Sequence, residues 1–460
     1  MKFYYIFFSF IITIINSKPL KIPFKTRFDI NNMNKDNVMQ MLINNNIFTQ
    51  ISFGSNNQII EMDIKLQKDS TYILSNSCPE NIFSKKFNEK QSETYELLTE
   101  SKTYYMYEFK DATYSKDNIM LLLANNKNIK INNFKFMLVN SLWNDNQKYM
   151  SGMLGLILSN RDDIPEDTDF IIQLKSNNII DSYVFMLDYK DNYNGVLYLG
   201  NYFHDFNKNY SLNDFKITEA GNPNYKIKSW EINIEKIMTN NYIIQNNTYI
   251  NCLYEIGVIA SPDDYHNYIK ENFFKNYLNN GACHEQLNLE NIAIFNKYDY
   301  IVCDKNNFIK ETFPDLYFYN REMNMNFSLN YKDLFYEFEN KIYFLVVFPR
   351  YPIIVKHWYI GKPFFIKYKL FFDKDKKTIG LYNNFTNENN DDDDEKNPII
   401  ILRYKSSTIY IVIIIFLIIV LIGLLYFFLI KKKSGKLKAN ELEAKFTYIP
   451  ISEENKRKII

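Results

Sequence analysis

Twenty-three consecutive residues, Thr408–Ile430 (TIYIVIIIFLIIVLIGLLYFFLI), carry no charged side chain. As a helix, such a run is long enough to cross a hydrocarbon core of about 30 Å with some tilt. Lys431, Lys432 and Lys433 follow at once, and a basic cluster in that place stays on the cytosolic side. The opposite end begins MKFYYIFFSFIITIINS, with one Lys, an apolar run from Phe3 to Ile15, and Asn16-Ser17 as the cleavage point. Residues 1–17 therefore read as a secretory signal peptide, too short to span a membrane comfortably. The two segments together predict a single-pass type I membrane protein. Residues 18–407 would then be lumenal or extracellular, and 431–460 would form a cytosolic tail.

Asn387–Asn397 (NENNDDDDEKN) lies between the body and the span. A block of like charge among asparagines is a solvated spacer, so 386–407 reads as an acidic stalk. It lacks the Gly and the alternating ligands of a calcium loop. The tail ends Lys456-Arg457-Lys458-Ile459-Ile460, which resembles the di-lysine retrieval signal of the endoplasmic reticulum. Tyr448-Ile449-Pro450-Ile451 resembles a tyrosine-based endocytic motif. Coat or adaptor proteins are the partners these motifs imply. The compartments left open are the endoplasmic reticulum, later secretory stations and the cell surface.

Lys+Arg number 54 against 53 Asp+Glu, a net charge of +1, which argues against nucleic-acid binding through a strong positive field. An apolar fraction of 46% excludes a mainly disordered chain. Cysteine is confined to Cys78, Cys252, Cys283 and Cys303. An oxidising lumen allows disulfides, and Cys283 with Cys303, close in sequence, is the expected pair. His204, His266, His284 and His357 are scattered, so neither a metal site nor a Cys–His nucleophile is indicated. No cofactor motif is present. Asn209, Asn246, Asn326 and Asn384 head Asn-x-Ser/Thr sequons, which suit a lumenal domain.

Short alternating runs between polar turns make the body mainly β. They are Ile47–Phe53, Ile59–Leu66, Tyr72–Ser75, Asn128–Val139, Tyr183–Tyr189, Gly195–Leu199, Ile232–Ile237, Lys341–Phe348 and Phe365–Phe372. Helical spacing is confined to Phe170–Asn177 and Asp263–Leu278. A two-lobed, mainly β architecture with a few short helices fits the length.

Three ordered sets of residues narrow this further. Near the end stand Trp358-Tyr359-Ile360-Gly361, Phe364, Tyr368, Phe372-Asp373 and Ile379-Gly380-Leu381. Gly152-Met153-Leu154-Gly155-Leu156 opens a similar set, which continues through Phe170–Leu174, Asn178-Ile179-Ile180, Val184–Leu187 and Gly195–Gly200. Ile47–Gln58 (IFTQISFGSNNQ) comes first in the chain. These pieces resemble the pepsin-type aspartic proteases, such as cathepsin D and the plasmepsins, over about residues 42–385. The resemblance implies a bilobal pepsin-like fold. It divides the chain into a short N-terminal segment (18–41), an N-terminal β lobe (42–210) and a C-terminal β lobe (211–385).

That family places one Asp-Thr/Ser-Gly motif in each lobe. Two close carboxylates cannot both ionise, so they share a proton and activate one water. Counted without gaps, the first motif falls on Lys65-Leu66-Gln67, with Tyr72 at a conserved Trp position. The second, counted from Trp230, falls on Glu255-Ile256-Gly257-Val258. Asp63 and Asp69 flank the first motif, but neither precedes Thr/Ser-Gly. Tyr105 takes the flap-tyrosine position, with Met106–Lys110 where the family is glycine-rich. By resemblance, Lys65 and Glu255 stand at the catalytic positions and Tyr105, Tyr72 and Gly257 at the substrate-binding ones.

An ammonium opposite a carboxylate forms an ion pair and leaves no base to activate water. The expected function is therefore a pseudoprotease, anchored in the bilayer through 408–430, whose cleft holds a peptide or an unfolded protein segment. An active endopeptidase using Glu255 with Asp63 or Asp69 is the alternative. A surface adhesion or scaffold protein is the third reading.

Overall fold

The computed structural model describes residues 19–27, 33, 37–68, 70–79, 85–99, 109–142, 151–158, 166–207, 209–222, 229–288, 297–350 and 357–382. The signal peptide, acidic stalk, apolar span and tail lie outside the described residues, as do Asp69 and Tyr105. Among the described residues no helix is long and apolar enough to cross a membrane.

Asparagine does much of the turning in this glycine-poor chain. Ten described non-glycine residues have positive φ, and eight are Asn, among them Asn57, Asn126, Asn178 and Asn247. Asn tolerates the left-handed region because its short side chain bonds locally. Between these turns the strands alternate. Leu20–Thr26 buries every second residue, and Ile47–Phe53 buries Ile47, Thr49 and Ile51. Phe170–Ser176 is a helix, capped by Asp169, which accepts from the Ile172 amide at 3.0 Å.

Among the described residues thirteen strands form the first sheet and eleven the second. In the first, Phe109–Leu122 pairs with Ile47–Phe53 as well as with Asn128–Leu142, which closes a ring of strands. The fold is mainly β with short helices, consistent with two pepsin-like lobes. The expected division at 210/211 does not separate the sheets, however. Phe371–Asp373 pairs with Val184–Tyr189, and Phe215–Glu219 joins through Thr378–Tyr382. Leu20–Thr26, from the segment set aside as 18–41, is an interior strand between Asn194–Leu199 and Ile47–Phe53. Strands from both ends of the body thus complete the first sheet. Phe365–Phe372 is also not one strand: Gly361 and Pro363 start the helix Lys362–Lys367, and only Phe371–Asp373 is extended.

One continuous core runs through both lobes. Trp230 stacks edge-on against Phe185 at 5.6 Å and donates from Nε1 to the Leu156 carbonyl at 2.6 Å. Tyr254 lies flat against Phe365 at 3.8 Å, and the Tyr189 hydroxyl donates to its carbonyl at 3.3 Å. Aromatic pairs of this kind add to the burial that joins the lobes.

Candidate functional site

The fold brings two matching loops together. In the first lobe, Gln58–Lys65 runs parallel to Gly152–Gly155, with Lys65 opposite Gly155. The chain returns antiparallel along the same strand, Tyr72 opposite Met153. In the second lobe, Tyr242–Cys252 runs parallel to Trp358–Ile360, with Cys252 opposite Ile360. It returns with Ala260 opposite Tyr359. Placing Met153-Leu154-Gly155 on Tyr359-Ile360-Gly361 therefore puts Tyr72 on Ala260 and Lys65 on Leu253.

Close packing at the two glycines gives the same register. A Cβ on Gly155 would meet the carbonyl oxygens of Lys68 at 2.5 Å and Ser70 at 2.7 Å. One on Gly361 would meet those of Ile256 at 2.3 Å and Val258 at 2.2 Å. Lys68 thus matches Ile256, and Ser70 matches Val258. The count from Trp230 to Glu255 overshoots by two residues. Strand pairing, not spacing from Trp230, decides which side chains are mates. Leu253 is the mate of Lys65, and Glu255 is the mate of Gln67.

The side chains do not form the expected ion pair. Lys65 Nζ donates to Asn46 Oδ1 at 2.5 Å, and among the described residues no salt bridge joins it to Glu255. Glu255 is 7% exposed, and its buried Oε2 has no hydrogen-bond partner among the described residues. Its charge is felt by Tyr189, whose hydroxyl is held above its usual range first by burial and then by Glu255. Asp63 is committed elsewhere: Arg27 reaches its Oδ1 at 3.2 Å and also binds Glu61. Burial raises the Asp63 carboxyl from its usual range, against the opposing pull of Lys65 and Arg27. Tyr72, expected at the substrate, is packed inside the first lobe against Phe109, with ring centroids 4.7 Å apart. Gln67 crosses between the lobes and donates to the Cys252 carbonyl at 3.2 Å. Nothing in the sequence signals this bridge, because only the tertiary fold brings Cys252 near Gln67.

A segment of the chain's own N-terminal region lies over the second loop. The helix Val38–Ile43 buries Val38, Met39, Leu42 and Ile43 on one face. These residues share a cluster with Leu253, Ile256, Val258 and Ala260. The Gly257 amide donates to the Ile43 carbonyl at 3.2 Å. A Cβ on Gly257 would fall 1.9 Å from the Leu42 carbonyl oxygen. Asn45, just beyond the helix, accepts from Lys362 Nζ at 3.3 Å, and the same ammonium donates to the Asn192 carbonyl at 2.7 Å. Lys362 is buried, and burial pushes its amine down to about 8. Neither this covering segment nor Lys362 stood out in the sequence, since an apolar hexamer and a lysine after Gly361 carry no motif.

Cys283 and Cys303 face each other on paired strands and form a disulfide. Cys78 and Cys252 are buried and lie outside this disulfide. Burial pushes the Cys252 thiol well up, which makes it inert as a nucleophile.

No curated protein matches the chain. The family model of eukaryotic aspartyl proteases matches residues 46–383, which takes in both loops, both hydrophobic-hydrophobic-glycine strands and the disulfide. With that match over most of its length, the chain belongs to the eukaryotic aspartyl protease family.

Proposed function

We propose that this chain is a membrane-anchored aspartyl protease homologue without catalytic activity, which binds an extended peptide or protein segment in the secretory pathway. The observation that carries this reading is the pair of residues in register on the two loops, Lys65 and Leu253. Proton sharing between two carboxylates needs an acid on each loop. An ammonium tied to Asn46 and a buried alkyl chain supply no carboxyl on either loop. Glu255 does not repair the loss, because its mate Gln67 is an amide already bonded across the lobes. Asp63 is held by Arg27.

The covering helix sets a further condition on binding. A peptide that reaches the Gly257 loop has to displace Val38–Ile43 or pass beside it.

The test is a cleavage assay on the purified lumenal body, residues 18–407, with an unfolded protein substrate from acid to neutral pH. The expected result is no pepstatin-sensitive product. The same preparation should still be crosslinked by a photoreactive extended peptide. Pepstatin-sensitive cleavage by the unmodified body would overturn the reading, and so would failure of every peptide to crosslink.

A further inference from the structure

Two of the sequons lie in one row across the second sheet. Asn246 pairs with Lys236, Lys236 with Tyr319, and Tyr319 with Asn326. Residues directly opposite in a ladder point to the same face. Asn246 and Asn326 are therefore outward neighbours separated by three strand spacings, roughly 14 Å. Both are exposed, whereas Phe327 beside Asn326 is buried.

The exposure of Asn246 has a local cause. On a regular strand Asn246 and Thr248 would share a face, yet Thr248 is buried and Asn246 is not. Asn247 between them takes a φ of 50° and breaks the alternation. That kink turns the acceptor amide of Asn246-Asn247-Thr248 to solvent. The groove beside it is lined by Asn233, Glu235, Lys236, Asn247, Asn320 and Arg321 among others, all polar. Such a wall offers nothing to an apolar ligand and suits a hydrated sugar.

We infer that Asn246 and Asn326 are N-glycosylated, and that their two glycans cover this face of the second sheet. In each case the side-chain amide nitrogen bonds to the anomeric carbon of a lipid-pyrophosphate-linked oligosaccharide. The sugar's C–O bond to pyrophosphate breaks, and the amide proton leaves with the lipid pyrophosphate. The +2 hydroxyls required of a sequon are Thr248 and Ser328. In the finished fold Thr248 is buried and accepts from Gln245 Nε2 at 3.1 Å, so this sequon is more open to the transferase before the strand folds. A glycan-covered face cannot serve as a protein-docking surface, which leaves partner binding to other faces. The inference rests on the lumenal placement of the body.

The test expresses the full chain in a secretory cell with an unstructured tag carrying its own sequon inserted after residue 17. The parent is compared with Asn246→Gln, Asn326→Gln and the double variant, each with and without peptide N-glycosidase. The expected result is loss of one enzyme-sensitive mobility step in each single variant and of two in the double. A glycosylated tag with single variants that co-migrate with the parent would overturn the inference alone. A bare tag together with bare Asn246 and Asn326 would overturn the lumenal placement and the inference with it.

Discussion

The two matched loops differ in what surrounds them. The first stays polar. Lys65 is half-buried and tied to Asn46, and Gln67 reaches across to the Cys252 carbonyl. The second has become core. Leu253, Ile256 and Val258 are buried under the helix Val38–Ile43, and Gly257 is held against Leu42. The glycine at 257 resembles a remnant of Asp-Thr-Gly, yet it is not in register with Gln67, whose mate is Glu255. Contact with the covering helix is enough to require a glycine there. A motif residue that persists in one repeat can therefore be kept by packing alone.

The sharpest way to break this contrast is at Gly257. Gly257→Ala forces a methyl group against the Leu42 carbonyl, and overpacking of this kind costs about 3 kcal/mol. Denaturant unfolding should show that loss, and limited proteolysis should show residues 37–46 released. An unchanged midpoint with residues 37–46 still protected would mean that the covering helix does not press on this loop.

Lys362 offers a smaller effect with a distinctive pH signature. Burial lowers its amine to about 8 in the folded chain, from the usual 10.5. Between those values the unfolded chain holds a proton that the folded chain has released, so stability rises as pH increases through that window. Below it, the buried charge is a burden of at most about 3 kcal/mol, reduced by its bonds to Asn45 and Asn192. Lys362→Met should raise stability at neutral pH by about 1–2 kcal/mol and flatten the rise above about pH 8. Unfolding measured across that range checks both, and a variant that keeps the parent's slope would assign it to another group.

The smallest effect is expected at the first loop. Gln67→Ala removes one interlobe hydrogen bond and should cost about 1 kcal/mol. Equilibrium unfolding measures it. A loss as large as that of Gly257→Ala would mean that the polar loop, not the buried one, holds the lobes together.

Much of the fold was legible locally. Ile47–Phe53 was found at its observed bounds because its burial alternates strictly at the start. Phe170–Ser176 was found within a residue because Asp169 caps a clean apolar stripe. Phe109–Leu122 was missed, although it is one of the longest strands. Its inward residues include Thr113, Ser115 and Asp117, so burial alternates while hydrophobicity does not. Leu20–Thr26 shows the same limit from another side: its alternation is visible, but its place inside the first sheet depends on partners at 47 and 194–199.

Sequence by itself determined the chemistry available at the first loop, since Lys65 is a lysine in any register that keeps Tyr72 in place. It also determined the family, because the hydrophobic-hydrophobic-glycine strands and their flanking segments recur in order along the chain. Only the tertiary structure decided which residue faces the same role in the second lobe. Counting residues assumes equal hairpin lengths, whereas ladder pairing and the contacts of Gly155 and Gly361 are fixed by hydrogen bonds and excluded volume. Those contacts put Leu253 where the count put Glu255. They also laid Val38–Ile43 across the loop, a covering that no local pattern encodes because its partner surface lies more than two hundred residues away.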